Sequence, residues 1–209
     1  MLLLSLARNP LAALSLVGVL VVGLTVHEYA HAWTAFRLGD PTASLQGRLS
    51  LDPRRHIDPL GALVFLVVGF GWAKPVPIDS YRLGREGTLW VSLAGPASNL
   101  ALAVVALAPM RLLGPGGLAG TILTIFGFYN LMLAAFNLIP VSPLDGWKVM
   151  LGLVRPETAW RLARYEAQGP MILLLLIFAS RLGLPDVLGG YLFGVSGTAF
   201  RLLTGLHFG

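Results

Sequence analysis

Three long apolar runs, 10–36, 89–113 and 117–139, constrain this chain more than any other feature. Each exceeds the roughly 20 residues that an α-helix needs to cross the hydrocarbon core of a bilayer. Backbone N–H and C=O groups find no partners in lipid, so such runs must satisfy their own hydrogen bonds as helices. The rest of the composition agrees. Charged residues make up 12% of the 209 residues and hydrophobic ones 56%, whereas a soluble domain carries about 25% charge. An ordinary soluble domain is thereby excluded. The net charge of +5 reads as membrane topology rather than as nucleic-acid binding. The chain has no cysteine. Disulfides and thiolate metal sites are therefore excluded, and any metal must be held by His, Asp or Glu.

Two further apolar segments, 170–184 and 187–206, are shorter or richer in glycine. Gly183-Leu184-Pro185-Asp186 separates them as a tight turn, which predicts a helical hairpin, with one long irregular helix as the alternative. The apolar start of the chain is not expected to be a signal peptide, because it lacks a basic flank and runs on to Phe36. Segment 59–72 is too short for a span and suits a re-entrant element better. Basic residues arbitrate. If 59–72 does not cross and the N-terminus is outside, Arg37, Arg48, Arg54, Arg55, Lys74, Arg82, Arg85, Lys148, Arg155, Arg161, Arg164 and Arg201 lie inside. That is 12 of the 15 basic residues, with Arg8, Arg111 and Arg181 outside, as the positive-inside rule favours. Stretch 42–52 alternates in part and reads as a short strand, and 73–79 is proline-rich and extended. The expected fold is an all-α polytopic membrane protein with one domain over 1–209. It has about five transmembrane helices, a re-entrant element at 59–77 and short cytoplasmic-side strands.

Within the first span lies His27-Glu28-Tyr29-Ala30-His31. On a helix the four-residue spacing puts both imidazoles on one face, one turn apart, where they can share a cation. Glu28 lies about 100° round from His27, placed to deprotonate a metal-bound water. Charged and polar groups are costly inside a bilayer and persist where they pair or bind something. A hydrogen-bonded cluster joining two helices is the alternative reading. A catalytic zinc needs three protein ligands. Asp145 is the candidate, since Pro140, Pro143 and Gly146 end the 117–139 helix and turn the chain beside it. Asp145 as an ordinary helix cap stays open at this point.

These residues resemble the site-2 protease family of intramembrane metalloproteases, in its compact bacterial form without PDZ or CBS domain. The likeness is carried by His27-Glu28-Tyr29-Ala30-His31, Gly95-Pro96-Ala97-Ser98-Asn99, Asn137 and Pro140 followed by Leu144-Asp145-Gly146, and by the stretches Gly47-Arg48 to Gly61 and Gly69 to Pro77. The resemblance implies one Zn2+ on His27, His31 and Asp145, with Glu28 as base. It implies that Asn137 assists at the substrate backbone or oxyanion, with a helix–helix hydrogen bond as the alternative. Gly95, Pro96 and Asn99 are expected to pack around the metal helix. Gly69, Phe70 and Gly71 are expected in a substrate-binding hairpin, or else in a plain loop. His56 reads as structural rather than as an accessory ligand, and His207 as uninvolved.

The implied reaction is hydrolysis of peptide bonds in or near transmembrane segments of membrane-protein substrates. The implied location is the bacterial inner membrane, with the site toward the cytoplasm. Lipid is the expected surrounding partner, and nucleic acid is not expected. A membrane zinc transporter and a non-peptide zinc hydrolase are the competing readings. Substrate identity and oligomeric state are not legible in the residues.

Overall fold

The computed structural model describes residues 16–68 and 71–206. Among these, every regular element is helical. Helix α1 is Leu16–Arg37, with a π-helical turn at Val19–Gly23 leading into the α-helical body Leu24–Arg37. A short α2, Thr42–Leu45, and a 3₁₀ turn, Pro53–Arg55, precede α3, Pro59–Val68. There follow α4 (Ser80–Leu107), α5 (Met110–Leu113), α6 (Gly117–Asn137), α7 (Asp145–Leu153) and α8 (Pro156–Ala163). Then come α9 (Gly169–Phe178), which runs into the 3₁₀ turn Ala179–Leu182, and α10 (Val187–Thr204).

Three of these stretches are long and apolar enough to cross a membrane: Leu16–Arg37, Ser80–Leu112 and Gly117–Asn137. A fourth appears if the bent pair Pro156–Ala163 and Glu166–Leu182 counts as one span. The expected helical hairpin is present, with Gly183 in the left-handed region closing one arm and Asp186 accepting from Gly189 N to start the other. Glycines and Arg201 dilute the hydropathy of α10.

Several sequence expectations are corrected. The strand expected at 42–52 is instead helix α2 followed by irregular backbone. The cause is local. Asp40 Oδ1 accepts from Thr42 N at 3.0 Å and from Thr42 Oγ1 at 2.5 Å, which starts a helical turn there. Among the described residues the β-structure amounts to an isolated antiparallel bridge, Ile57 to Ala73. Ahead of the helix expected at 89–113, Asp79 caps a turn starting at Ser80 by accepting from Tyr81 N and Arg82 N; Gly84, with φ at +64°, kinks the chain there, and the long helix runs on beyond it. Charged residues in that first part hid it from an apolar scan. The same blindness missed α7 and α8 in the stretch after Pro140.

Helix α4 is central. It packs against α1, α6 and α7, while α10 packs on α6. Ala103, Leu107, Met110, Phe128, Leu131 and Phe200 form a core where α4, α5, α6 and α10 meet. Lipid is as apolar as leucine, so such a core is held by close packing more than by escape from water. Gly127 shows this: a Cβ there would lie 2.7 Å from Leu107 Cδ2.

Helix α3 rises only about 15 Å over its ten residues, half a hydrocarbon core. The chain then returns along it. A Cβ on Gly61, in its first turn, would lie 3.0 Å from Trp72 N, and Lys74 N donates to His56 O at 2.7 Å. Entry and exit of the 59–74 segment are thus side by side.

Candidate metal centre

His27 and His31 leave α1 one turn apart and are buried. Each Nδ1 has a hydrogen-bond partner. His27 Nδ1 lies 2.6 Å from Asn99 Oδ1, and His31 Nδ1 lies 2.6 Å from the Val91 carbonyl. Both partners are acceptors, so each Nδ1 carries a proton and each Nε2 is the ring nitrogen left to face a metal. Those Nε2 atoms are 3.0 Å apart. Asp145, in the first turn of α7, brings its Oδ2 to 3.0 Å from His27 Nε2 and 3.2 Å from His31 Nε2. Helix α7 is held there by α4, which packs against both α1 and α7.

Asp145 is no helix cap. Leu144 occupies the cap position and no side chain caps the turn. Asp145 Oδ2 is buried and accepts no hydrogen bond. Three ligand atoms therefore converge within a few ångströms, an arrangement that a cation among them would satisfy. Ligand pairs around a tetrahedral zinc lie roughly 3.3 Å apart given bonds of about 2.0–2.2 Å, close to the separations here. The donor set His, His, Asp suits zinc, and the group is able to hold a metal ion. The bonds behind the imidazoles are those by which zinc sites orient their histidines.

Gly95 and Pro96 act at the back of the site. A Cβ on Gly95 would lie 2.5 Å from His27 Nε2 and closer still to His31 Nε2. Only glycine lets α4 pass behind the imidazoles. Pro96 has no N–H to donate, so the α4 ladder is one bond short beside them. Asn99 does more than pack, since it bonds His27 directly.

The three donors open onto a cavity of about 340 Å3. Glu28, Asn137, Lys148 and Phe136 line it, as does the extended stretch through Trp72, Ala73, Pro75, Val76 and Ile78. Glu28 is buried beside the ligands. Asn137 donates one amide hydrogen to Leu133 O at 3.0 Å. Gly71 also lines the cavity, whereas Gly69 and Phe70, expected beside it, lie outside the described residues, as does His207. His56 is fully buried away from the cavity, with its Nε2 on Ser50 O at 2.6 Å, and serves the loop.

Sequence reasoning missed three contributors. The Val91 carbonyl is backbone and has no sequence signal. Arg48 is buried, and its guanidinium donates to Lys74 O and Pro75 O, bracing the extended wall of the cavity. Asn130 is fully buried behind Asn99. Its spacing of seven from Asn137, two helical turns inside an apolar helix, was the available clue.

The sequence is similar to “Putative zinc metalloprotease YwhC” of Bacillus subtilis, at 40% identity over 179 residues, covering 80% of this chain and 81% of the relative. It is similar to “Putative zinc metalloprotease Rip2” of Mycobacterium tuberculosis, at 35% over 198 residues, covering 87% and 74%. It is also similar to “Putative zinc metalloprotease MJ0611” of Methanocaldococcus jannaschii, at 35% over 139 residues, covering 61% and 64%. No family model and no solved structure matches the chain.

Proposed function

The chain belongs to the site-2 protease family of zinc metalloproteases, and from that membership we propose that it hydrolyses peptide bonds in or near the transmembrane segments of membrane proteins. The observation that carries this reading is the convergence of His27, His31 and Asp145 beside Glu28, on a helix long and apolar enough to cross a membrane.

His27, His31 and Asp145 would hold the zinc, which would supply a Lewis acid and a water of lowered pKa. The residues of the chain do the rest. Glu28 takes the proton of the attacking water and delivers it to the leaving amine. Asn137 keeps one amide hydrogen beyond its bond to Leu133 O and turns it to the substrate carbonyl. A helical substrate hides its carbonyls in its own hydrogen bonds and must unwind. The extended stretch from Gly71 to Ile78 then offers an edge for the freed backbone. Arg48, which donates to the Lys74 and Pro75 carbonyls of that stretch, keeps it in place.

The topology that suits this chemistry has five spans, α3 as a re-entrant element and 12 of 15 basic residues on the cytoplasmic side of the bacterial inner membrane. The site then lies toward the cytoplasm, and one zinc ion serves each chain. The test is cleavage of a transmembrane peptide by purified protein in liposomes, blocked by 1,10-phenanthroline and restored by zinc. Zinc flux without cleavage would overturn the reading in favour of a transporter. A reporter fused at residue 80 tests the topology: a periplasmic signal there overturns the re-entrant arrangement.

A further inference from the structure

Behind His27, away from the cavity, two asparagines are fully buried between helices. Asn99 of α4 has its Oδ1 on His27 Nδ1 at 2.6 Å. Its Nδ2 donates to the Gly23 carbonyl at 3.1 Å and to Asn130 Oδ1 at 3.0 Å. Asn130 of α6 donates its own Nδ2 to the Phe126 carbonyl at 2.9 Å. Gly23 makes room for this meeting, since a Cβ there would lie 3.0 Å from Asn130 Oδ1.

The direction of every bond follows from the two backbone carbonyls, which only accept. Phe126 O requires the Asn130 amide nitrogen on its side. Asn130 Oδ1 must then face Asn99. That oxygen and Gly23 O together demand the Asn99 amide nitrogen, which turns Asn99 Oδ1 toward His27. An oxygen with no hydrogen at 2.6 Å requires a proton on His27 Nδ1. Nε2, which lies 3.0 Å from Asp145 Oδ2, is then the ring nitrogen left to take a metal. Flipping either amide would set oxygen against oxygen at about hydrogen-bond distance, in surroundings without water, where an unpaired polar group is costly.

We infer that this chain of bonds fixes His27 in its metal-binding tautomer, and that Asn130, which touches neither His27 nor the donor cluster, is a positioning residue for zinc. The inference rests on the zinc-site reading but not on the protease reading. It also explains why a second asparagine sits inside an otherwise apolar helix. His31 needs no such relay, because its Nδ1 meets a backbone carbonyl directly. The two ligands of one helix are therefore oriented by different means, and only one of them depends on side chains that mutation can reverse.

Two readouts test this, neither of them proteolysis. The first uses metal-free wild-type protein with 15N-labelled histidine. The chain has four histidines, and single variants of His56 and His207 assign two of them. The expected spectrum shows His27 with a protonated Nδ1. The second is zinc affinity by competition with a chelator. Asn130→Leu keeps the bulk and removes the acceptor, and should weaken zinc by about 10–100-fold, the usual effect of losing a group that orients a metal ligand. Asn130→Asp keeps an oxygen facing Asn99 whether or not it is protonated, and should stay within about threefold of wild type. A folded Asn130→Leu protein with wild-type zinc affinity overturns the proposal. So does an Asn130→Asp protein weakened as much as Asn130→Leu, or a wild-type His27 whose Nδ1 carries no proton. If Asn130→Leu does not fold, the wild-type spectrum and the Asp variant decide.

Discussion

Asp40 and Asp145 are the same chemical group in opposite circumstances. Asp40 follows α1 and is fully buried. Its carboxylate accepts from Thr42 N, Thr42 Oγ1 and Asp79 N, the last at 2.7 Å. It thus ties the end of α1 to the starts of α2 and α4. Asp145 Oδ2 is buried without a hydrogen-bond partner, and the Nε2 atoms of two histidines face it at 3.0 and 3.2 Å. The difference teaches how to tell a clasp from a ligand. A carboxylate ringed by N–H and O–H donors is finished as it stands. A buried carboxylate oxygen left without such donors, among two imidazole Nε2 atoms, is placed to take a cation. Burial alone would not have separated them.

Removing the base that shares the cavity with Asp145 should have the largest effect. Glu28→Gln keeps the shape and both histidines, so zinc should stay at one per chain by elemental analysis while cleavage falls by about 10²–10⁴-fold, the usual contribution of a general base. Cleavage at the wild-type rate would remove Glu28 from the mechanism. Next is the ligand itself. Asp145→Asn should lower bound zinc well below one per chain with the protein still folded. The matching change Asp40→Asn should leave zinc stoichiometry intact. If the two variants lost zinc equally, the contrast between clasp and ligand would collapse.

Gly95→Ala sharpens the same contrast from behind. The added methyl meets imidazoles that cannot retreat without losing Asn99 and Val91. Zinc affinity should drop by about tenfold or more, comparable to losing an orienting partner, and chelator competition measures it. Unchanged affinity would mean that the two helices shift apart freely.

The smaller effects belong to Asp40. Asp40→Asn should lower stability by about 1–3 kcal/mol, as for hydrogen bonds to a charged group, read from thermal unfolding in detergent. The pH dependence follows. Burial alone would raise the Asp40 pKa, but the Thr42 hydroxyl, the backbone N–H groups of Asp79 and Thr42, and nearby Arg82 outweigh it, so the pKa lies below the ordinary value. Its contribution is therefore complete above about pH 3.9, the unfolded value, and is lost as pH falls through the lower folded one. Asp40→Asn should flatten this acid limb. An unchanged limb would assign it to other carboxylates.

Much of this site was legible in the residues. His27, Glu28 and His31 follow from the helical repeat alone, and the absence of cysteine narrowed the third ligand to a few acids. Asp145 stood out by its place after a helix broken by proline, yet a cap and a ligand look identical in sequence. The α2 turn was misread as a strand because the carboxylate that starts it, Asp40, acts through hydrogen bonds that alternation does not register. Helices α7 and α8 escaped because neither is apolar enough to read as a span.

By itself the sequence determined that this chain forms long apolar helices and that one of them carries two imidazoles and a carboxylate at helical spacing. Both are consequences of local periodicity and of the cost of bare backbone in lipid. Tertiary structure brought the Asp145 carboxylate to the two imidazoles, and it alone decided which carbonyl turns His31 and how Asn99 and Asn130 turn His27. Those outcomes depend on which atom of a distant residue faces inward, and hydrogen-bond direction across helices leaves no trace in spacing along the chain.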